Sequence, residues 1–598
     1  MKKNILMVYP EFPTTYWSLK YALSFINKKS AIIPLGLLTV AALLPEEYSV
    51  KLIDMNVSKL SEKDIKNADM VFISSMIVQK TSFEEVVALC NALKVPVVAG
   101  GPYPTTSYEK IQGIDYFVLN EAEITLPEFI HDYEKGTPQR IYLNKEKPDI
   151  TKTPPPRIDL VDIKNYNNIA LQNSRGCPYN CEFCDIIELF GRKPRYKNVD
   201  QFIREMDIVY DQGFRGSLFI VDDNFIGNKK KVKELLKGIV AWQKKRKFPF
   251  TFFTEASINL ADDDELLQLM SDARFDMAFV GIETPDKEAL AACGKNQNVK
   301  VNLFDSIEKI QRAGIEVSGG FIVGFDEDEA DIFERQISFI QKAGIPMAMV
   351  GILGALPDTQ LYKRLKRENR LKKESGFSGN NTHNLRMSFI PIMNENTLIK
   401  GYKKIISEIY DPKKYFERCY TFLRRLPKSR SQRNGKIDLL QLRALFLSLF
   451  RQIFSPYSKY YCKFLLKVIL HRPSFFPLAI ELSIKGYHFF IITQDILKAD
   501  ELSSTLKEEN RKLIDIYNEL LVPNHNKNND ITQNIEKLIL AKKRLVKSFF
   551  KSGKDLQDYL DEEFNNYIYT YKYYLPIIID FFEDQSLGKD LRIKEKFV

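Results

Sequence analysis

Three thiols fall within eight residues in the run Ser174-Arg175-Gly176-Cys177-Pro178-Tyr179-Asn180-Cys181-Glu182-Phe183-Cys184, at C-x₃-C-x₂-C spacing. A loop so spaced can wrap three soft thiolate ligands around one metal centre. Iron–sulfur clusters usually have four thiolates, and the remaining cysteines, Cys90, Cys293, Cys419 and Cys462, are isolated in sequence. A three-thiolate cubane leaves one iron open to a substrate or cofactor, as a catalytic metal site keeps an open position. The alternative is a structural zinc site completed by a distant ligand; against it, all five histidines, His131, His383, His471, His488 and His525, are remote from the run.

A loop of this kind needs a frame. Over residues 165–360, strands expected to end at Gln172, Asp222, Thr254, Glu283, Gly324 and Gly351 alternate with amphipathic helices such as 199–212 and 303–314. Six βα units in this length predict a partial parallel barrel, whose active site lies at the carboxyl ends of its strands. Carboxylates and glycines recur at those ends: Asp222-Asp223, Glu255, Glu283 and the segment Gly320-Phe321-Ile322-Val323-Gly324. Each carboxylate has a simpler reading as a helix cap or surface ion pair.

Residues 1–140 repeat the pattern, with strands expected at 5–9, 50–55, 70–74, 95–99 and 116–119 and helices between them. This predicts a Rossmann-like (flavodoxin-like) parallel sheet with a ligand beyond the strand ends, where Pro10-Glu11-Phe12-Pro13, Ser74, Ser75, Gly100, Gly101 and Glu121 stand. A ligand-free docking domain would show the same pattern. Residues 141–164 form the linker, and the stretch 145–156 holds four prolines, so an extended connector is expected. A charged helical connection over 361–434 and a helical domain over 435–598 complete the α/β chain.

Chain length, 598 residues, calls for about three to four domains. With 44% hydrophobic and 27% charged residues the chain is globular, and its net charge of +10 is mild for its length. No basic module interleaved with aromatics points to nucleic acid. Seven cysteines are too few for a secreted disulfide scaffold. The start MKKNILMVYP reads as a strand rather than a signal peptide, and the apolar stretch 31–45 is too short to span a bilayer. A reducing cytoplasmic setting is expected.

The thiol run resembles the radical S-adenosylmethionine (SAM) superfamily, in which an aromatic residue, here Phe183, precedes the third cysteine. The resemblance implies that Cys177, Cys181 and Cys184 hold a [4Fe-4S] cluster in a partial (βα)₆ barrel. It further implies that SAM chelates the open iron and that one electron, from an external donor such as flavodoxin or ferredoxin, cleaves SAM to methionine and a 5′-deoxyadenosyl radical. Phe183 would lie against the adenine, and Asp222 or Asp223 would stand where many members hold the SAM amino group with Gly-Gly-Glu, from which this chain departs. Glu255 would end the third strand; Glu283 lies in Gly281-Ile282-Glu283-Thr284, similar to a Gly-x-Glu-Ser motif. Gly320, Ile322 and Gly324 would offer backbone to the adenine edge.

The sheet ahead of the barrel resembles the cobalamin-binding subclass, implying cobalamin near Ser74, Ser75, Gly100, Gly101 and Glu121. The Asp-x-His-x-x-Gly motif is absent and no histidine precedes His131, so this domain cannot supply a histidine to cobalt; methylases of the subclass commonly lack it. Tyr9–Pro13, DDNFIGN (222–228), TEASINL (254–260) and GFIVGFD, together with Gly486-Tyr487-His488-Phe489, resemble cobalamin-type radical SAM proteins with a DUF4070 region, relatives of the hopanoid C-2 methylases. The resemblance implies methylation of an unactivated carbon on a small-molecule or lipid/terpenoid substrate. The alternatives are radical cyclisation, rearrangement or oxidation, and a non-catalytic metal-stabilised binding protein.

The C-terminal region carries a basic amphipathic stretch, 439–454, and a Lys-dotted apolar stretch, 462–471. Such helices can lie in a membrane interface; packing an apolar face on the barrel is the simpler reading. The run 363–373 (KRLKRENRLKK) reads as a solvated helix face. No function is assigned beyond about residue 500.

Overall fold

The apolar run Ile5-Leu6-Met7-Val8-Tyr9 is too continuous for a strand with one wet face, and in the computed structural model it is buried on both. Leu6 and Val8 join one core cluster with Val71, Ile73 and Phe83, whereas Ile5 and Met7 join another with Met70, Phe72 and Phe129. A parallel sheet covered by helices on both sides requires this. The structure describes residues 3–372, 385, 387–431, 439–520, 528–551 and 554–584.

The strands, in chain order, are β1 (Asn4–Tyr9), β2 (Ser30–Ile32), β3 (Ser49–Asp54), β4 (Met70–Ser74), β5 (Val97–Gly100), β6 (Tyr116–Leu119), β7 (Ile141–Leu143), β8 (Tyr166–Leu171), β9 (Ser174–Arg175), β10 (Arg195–Tyr196), β11 (Gly216–Ile220), β12 (Phe250–Ala256), β13 (Phe275–Glu283), β14 (Glu316–Val323) and β15 (Ala348–Ile352). One six-stranded sheet runs β3-β1-β4-β5-β6-β7 and a seven-stranded sheet runs β15-β14-β13-β12-β11-β8-β2. Neighbouring strands are parallel in both, as in the pairs β1 with β4 and β12 with β13. In the first sheet the order reverses at β1, with β3 on one side and β4 on the other. That switch point opens a crevice at the strand ends carrying Pro10, Ser74 and Gly100.

Three features differ from the sequence expectation. Strand β7 lies inside the stretch read as linker; it is short and at the sheet edge, where periodicity is weak. The half-barrel has six strands of its own and a seventh, β2, donated by the N-terminal segment through Ser30↔Tyr166 and Ile32↔Asn168. Third, the chain divides into compact units between Ile491 and Ile492 rather than near 435. The helices Glu395–Ile409, Pro412–Arg425, Leu439–Ile453 and Ser458–His471 belong to the first unit, because their aromatic faces pack there. Tyr16 stacks on Tyr410 at 5.2 Å, and Phe25 meets Tyr487 edge-on at 5.1 Å. Among the described residues no carboxylate pairs with the fully buried Arg418; it donates instead to the carbonyls of Ile345 and Ile409 and to Gln341 Oε1.

The described residues of the second unit, 492–598, are helical. Its core gathers Leu502, Leu506, Leu545, Phe549, Leu560 and Phe564, with Phe549 and Phe564 stacked at 3.7 Å. The helix Phe476–Leu520 runs through the division. By length and composition it could cross a membrane, yet 56% of its apolar window is buried inside the protein, including Phe489, Phe490 and Ile492.

Asp54, at the end of β3, ties the two sheets together. Tyr166 Oη donates to its Oδ2 (2.9 Å), while Asn56 donates to Oδ1 through its amide (2.9 Å) and side chain (2.7 Å). Asn56 in turn fastens the loop after β1 by donating to Pro10 O and accepting from Phe12 N–H. Tyr166→Phe leaves a buried carboxylate oxygen without its donor and should cost about 1–3 kcal/mol. A lowered midpoint in chemical denaturation, with far-UV dichroism unchanged, is the expected outcome.

Candidate functional site

The thiol loop is held at its entry by a carboxylate whose oxygens are taken up by the chain itself. Asp222, fully buried just past β11, accepts from Asn173 N–H (2.7 Å), Asn173 Nδ2 (3.1 Å), Ser174 N–H (2.9 Å) and Ser174 Oγ (2.7 Å). All its lone pairs are engaged, which corrects the expectation that Asp222 meets SAM: it positions the chain entering the cysteines. Asp223 takes the next step and accepts from Gly176 N–H at 2.7 Å. Gly176 has φ +96°, and a Cβ there would lie 2.8 Å from Gly191 O, so the two ends of the loop close only over glycine.

The far side is clamped as firmly. Cys293 O accepts from Glu182 N–H (3.0 Å), and a Cβ on Gly294 would lie 2.7 Å from Asn180 O. Glu182 O accepts from Leu361 N–H (2.8 Å). Arg364 donates to both carboxylate oxygens of Glu182 (2.7 and 3.1 Å) and to Asp326 (2.7 Å), and Arg370 also pairs with Asp326. Part of the basic run read as a solvated face is therefore spent locking the thiol loop; Lys373 lies outside the described residues, as do His383 and His525.

None of the seven cysteines is in a disulfide. Burial pushes the thiol pKa of Cys177, Cys181 and Cys184 up; Cys177 and Cys184 each feel Cys181, and Lys295 pulls all three back down. Metal loading must therefore displace three protons. Among the described residues no three His, Cys, Asp or Glu side chains converge on a single ion. A cubane's thiolates bind separate irons, so three clustered, unbridged thiols fit that group.

Lys295 was not legible in the sequence, because a lone lysine after a glycine belongs to no motif. It pairs with Glu283 (2.5 Å), the residue expected to meet SAM, which sits at φ +64° at the end of β13. Burial opposes the ammonium charge, but Glu283 and Cys181 outweigh it and hold its pKa above the ordinary value. Glu283 is thus half of a buried ion pair beside the thiols. Asn224 was missed too. Its side chain reaches Cys177 Sγ at 4.0 Å and Ser257 Oγ at 3.2 Å.

Glu255 lies in β12, one residue before its end. Thr251, Phe253 and Glu255 are the half-buried members of β12, alternating with buried Phe252, Thr254 and Ala256, so Glu255 faces the concave side. Burial and the neighbouring Asp223 push its carboxyl pKa up to about 7, and burial with Asp222 does the same for Asp223. Two neighbouring carboxyls that resist ionising make a receptive place for a cation. Phe183 is half-buried against Phe325 at 6.1 Å, so the thiol loop meets the end of β14. There the expectation needs correcting: Gly324 N–H donates to Asp328 Oδ2 (2.6 Å) and Ile322 O accepts from Gln336 (2.8 Å). The Gly324 amide is not available to an adenine. At Gly320 the Phe279 ring already occupies the space of a side chain, 2.9 Å from where a Cβ would stand.

That concave face is aromatic. Phe219 and Phe253 stack at 4.4 Å, and Trp17, from the N-terminal segment and 54% exposed, packs on Phe279 at 4.8 Å. Sequence periodicity could not place Trp17, which sits in no strand or helix.

At the crevice of the first sheet, Ser74, Ser75, Gly100 and Gly101 come together. A Cβ on Gly101 (φ +89°) would meet Ser74 Oγ at 2.3 Å, and one on Gly100 would meet Val118 O at 2.7 Å. Ser75 Oγ is buried without a hydrogen-bond partner. A backbone cradle that tolerates only glycine, with an unsatisfied hydroxyl beside it, fits a bulky polar-edged group such as cobalamin. Glu121 does not belong to that cradle. Its Oε2 pairs with Arg175 (2.8 Å) and its Oε1 with Arg195 (2.7 Å), while Glu123 also pairs with Arg175 (2.8 Å). Both carboxylate oxygens are consumed by joining the first sheet to the residues flanking the thiol loop.

Two outcomes follow from these charges. The raised pKa values of Asp223 and Glu255 give stability that is complete below the ordinary carboxylate range and is lost as pH rises through about 7. The thermal midpoint of the metal-free protein should fall as pH rises from about 4 to about 7 and level off above that, and Glu255→Gln should flatten the fall. Glu121→Ala takes away the carboxylate partner of Arg195 and leaves Arg175 with Glu123 alone, and should cost about 3–5 kcal/mol, read as a lowered denaturation midpoint; the conservative Glu121→Gln should lose less.

Comparison with known proteins agrees with this geometry. Residues 25–130 match the B12 binding domain, 173–370 the radical SAM superfamily and 359–501 a domain of unknown function, DUF4070. The chain is 41% identical to an uncharacterised methyltransferase of Synechocystis sp. over 82% of its own length and 93% of that protein's. It is 33% identical to the hopanoid C-2 methylase of Rhodopseudomonas palustris, covering 73% of this chain and 83% of that one. The fold is shared with the radical SAM methyltransferase TsrM from Kitasatospora setae (TM-score 0.55, 14% identity, 81% of this chain and 99% of that one). This chain belongs to the radical SAM enzymes that carry a B12-binding domain, in the branch that continues into DUF4070.

Proposed function

We propose that this enzyme is a cobalamin-dependent radical SAM methyltransferase acting on an unactivated carbon of an apolar small molecule of the lipid or terpenoid class. The observation that carries the reading is the set of three unbridged thiols clustered around Lys295 at the carboxyl end of an aromatic-faced half-barrel. When bound, the cluster would supply the electron that cleaves SAM to a 5′-deoxyadenosyl radical, and cobalamin would supply the methyl group.

The protein's own residues provide binding, orientation and exclusion of water. Asp223 and Glu255 release protons when a cationic ligand arrives beside them, which neutralises charge inside a buried site. Phe183 and Phe325 offer ring edges to a planar group, and the Lys295–Glu283 pair keeps a fixed positive charge against the thiolates. Ser74, Ser75, Gly100 and Gly101 form the cradle for cobalamin. Trp17, Phe219, Phe253 and Phe279 line the concave face with apolar surface, which favours a hydrocarbon over a charged substrate. The seven unbridged cysteines are in keeping with a reducing compartment, where flavodoxin or ferredoxin would serve as external reductant.

Anaerobically reconstituted protein with substrate should form both 5′-deoxyadenosine and S-adenosylhomocysteine. Deoxyadenosine alone would point to cyclisation, rearrangement or oxidation and reject methyl transfer. Cys177→Ala should abolish the brown cluster absorbance and SAM cleavage together. Trp17→Ala should lower kcat/KM for methyl transfer about tenfold while the cluster absorbance stays intact; an unchanged value would remove Trp17 from the substrate site. Comparing lipid extracts from cells with and without the protein would identify the methylated product.

A further inference from the structure

The helix Leu439–Ile453 is built inside out. Its buried residues are Ala444, Ser448 and Gln452, spaced at four, so the face it turns inward is small and polar. Ser448 Oγ lies 3.1 Å from Tyr461 Oη and accepts from Gln452 Nε2 at 2.8 Å. The opposite face presents Leu442, Phe446, Phe450 and Ile453 to solvent, and Phe454 follows directly. Phe446, Phe450 and Phe454 are 68%, 58% and 79% exposed, and they contact one another in a row. The adjoining helix Ser458–His471 extends the surface with exposed Leu466, Ile469 and Leu470. A soluble helix of this length buries its apolar stripe, and contiguous exposed apolar surface marks an interaction site.

Charge tells what covers it. Between Asp438 and Glu481 the chain has no acidic residue but has six Lys or Arg: Arg443, Arg451, Lys459, Lys463, Lys467 and Arg472. Lys459, Lys463 and Lys467 recur at every fourth position, so they line one side of the helix that also exposes Leu466 and Leu470. Arg443, Lys459 and Lys463 are exposed. A second copy of the chain would bring the same positive charges face to face, whereas an anionic surface would neutralise them. Aromatic and leucine side chains on one face, with lysines beside them, are the composition of a helix lying in a lipid interface.

We propose that the outward face of the helices Leu439–Ile453 and Ser458–His471 docks on the surface of an anionic lipid bilayer, with the Phe446-Phe450-Phe454 row entering the headgroup region and the lysines meeting lipid phosphates. This face belongs to the DUF4070 region and stands apart from the thiols, so its occupancy is independent of the methyltransferase reading.

The test uses the full-length holoprotein in co-sedimentation with vesicles of phosphatidylcholine alone and of phosphatidylcholine mixed with phosphatidylglycerol. Binding is expected to the mixed vesicles, weaker to phosphatidylcholine, and to decline as salt is raised. The double variant Phe450→Asp/Phe454→Asp should lose at least about tenfold in vesicle affinity, and Lys459→Glu/Lys463→Glu should lose a similar factor on the mixed vesicles only. Retained cluster absorbance and an unchanged melting midpoint would show that both variants fold. Wild-type protein that stays in the supernatant with the mixed vesicles, or aspartate variants that bind as well as wild type, would overturn the proposal. So would a wild-type dimer that the aspartate variants convert to monomer without any vesicle binding, since the face would then be an interface between copies.

Discussion

The structure depends on one buried ion-pair network. Glu121 and Glu123, at the end of the first sheet, grip Arg175, and Glu121 also grips Arg195. Arg175 stands two residues before Cys177, and Arg195 lies in the strand that pairs with Ser174–Arg175. The same contact therefore joins the two sheets and sets the origin of the thiol loop. Charges this buried are costly unless each is matched, and here two carboxylates face two guanidiniums with short, direct bonds. Any shift of one sheet on the other would leave one of them unpaired. A cofactor cradle on the first sheet and a metal loop on the second are thus held in one register by electrostatics that tolerate little slack.

A second principle runs through the site: carboxylates near the thiols have separate tasks set by their partners. Asp222 accepts four hydrogen bonds and fixes the incoming chain. Glu283 is neutralised by Lys295. Among the described residues Asp223 and Glu255 make no salt bridge, and burial leaves them resisting ionisation. The first two maintain geometry whatever is bound, and the last two respond to a positively charged ligand. Carboxylates of one site differ because burial penalises a charge that only specific partners relieve.

The C-terminal helices close the frame from outside. Arg364 and Arg370 anchor the thiol loop through Glu182 and Asp326, while Tyr410, Phe489 and His488 pack on Thr15 and Tyr16 of the segment that also delivers Trp17. Burial holds the His488 imidazole pKa down at about 4, so that contact carries no charge near neutrality. Substrate-facing surface from the N-terminal segment is in this way supported by helices some four hundred residues later in the chain.

The sequence by itself determined what depends on local spacing. Thiols at C-x₃-C-x₂-C must share a loop. Strands with continuous Val and Ile between helices must form parallel sheets, and glycine pairs at strand ends must make room for something bulky. Those conclusions need only the reach of the chain and the period of the elements. Side-chain partnerships across long separations needed the tertiary structure. Nothing local distinguishes Asp222, which is buried under four donors, from Asp223 beside it, which is not. Glu121 looked like a ligand residue because it ends a strand, and only the packed sheets show that two arginines had already claimed it. Lys295, Trp17 and the seventh strand Ser30–Ile32 belong to no periodic pattern, since each acquires its role from a surface made by distant parts of the chain. Spacing is a property of neighbours along the backbone, whereas burial and pairing are properties of neighbours in space, and the second cannot be read until the first has folded.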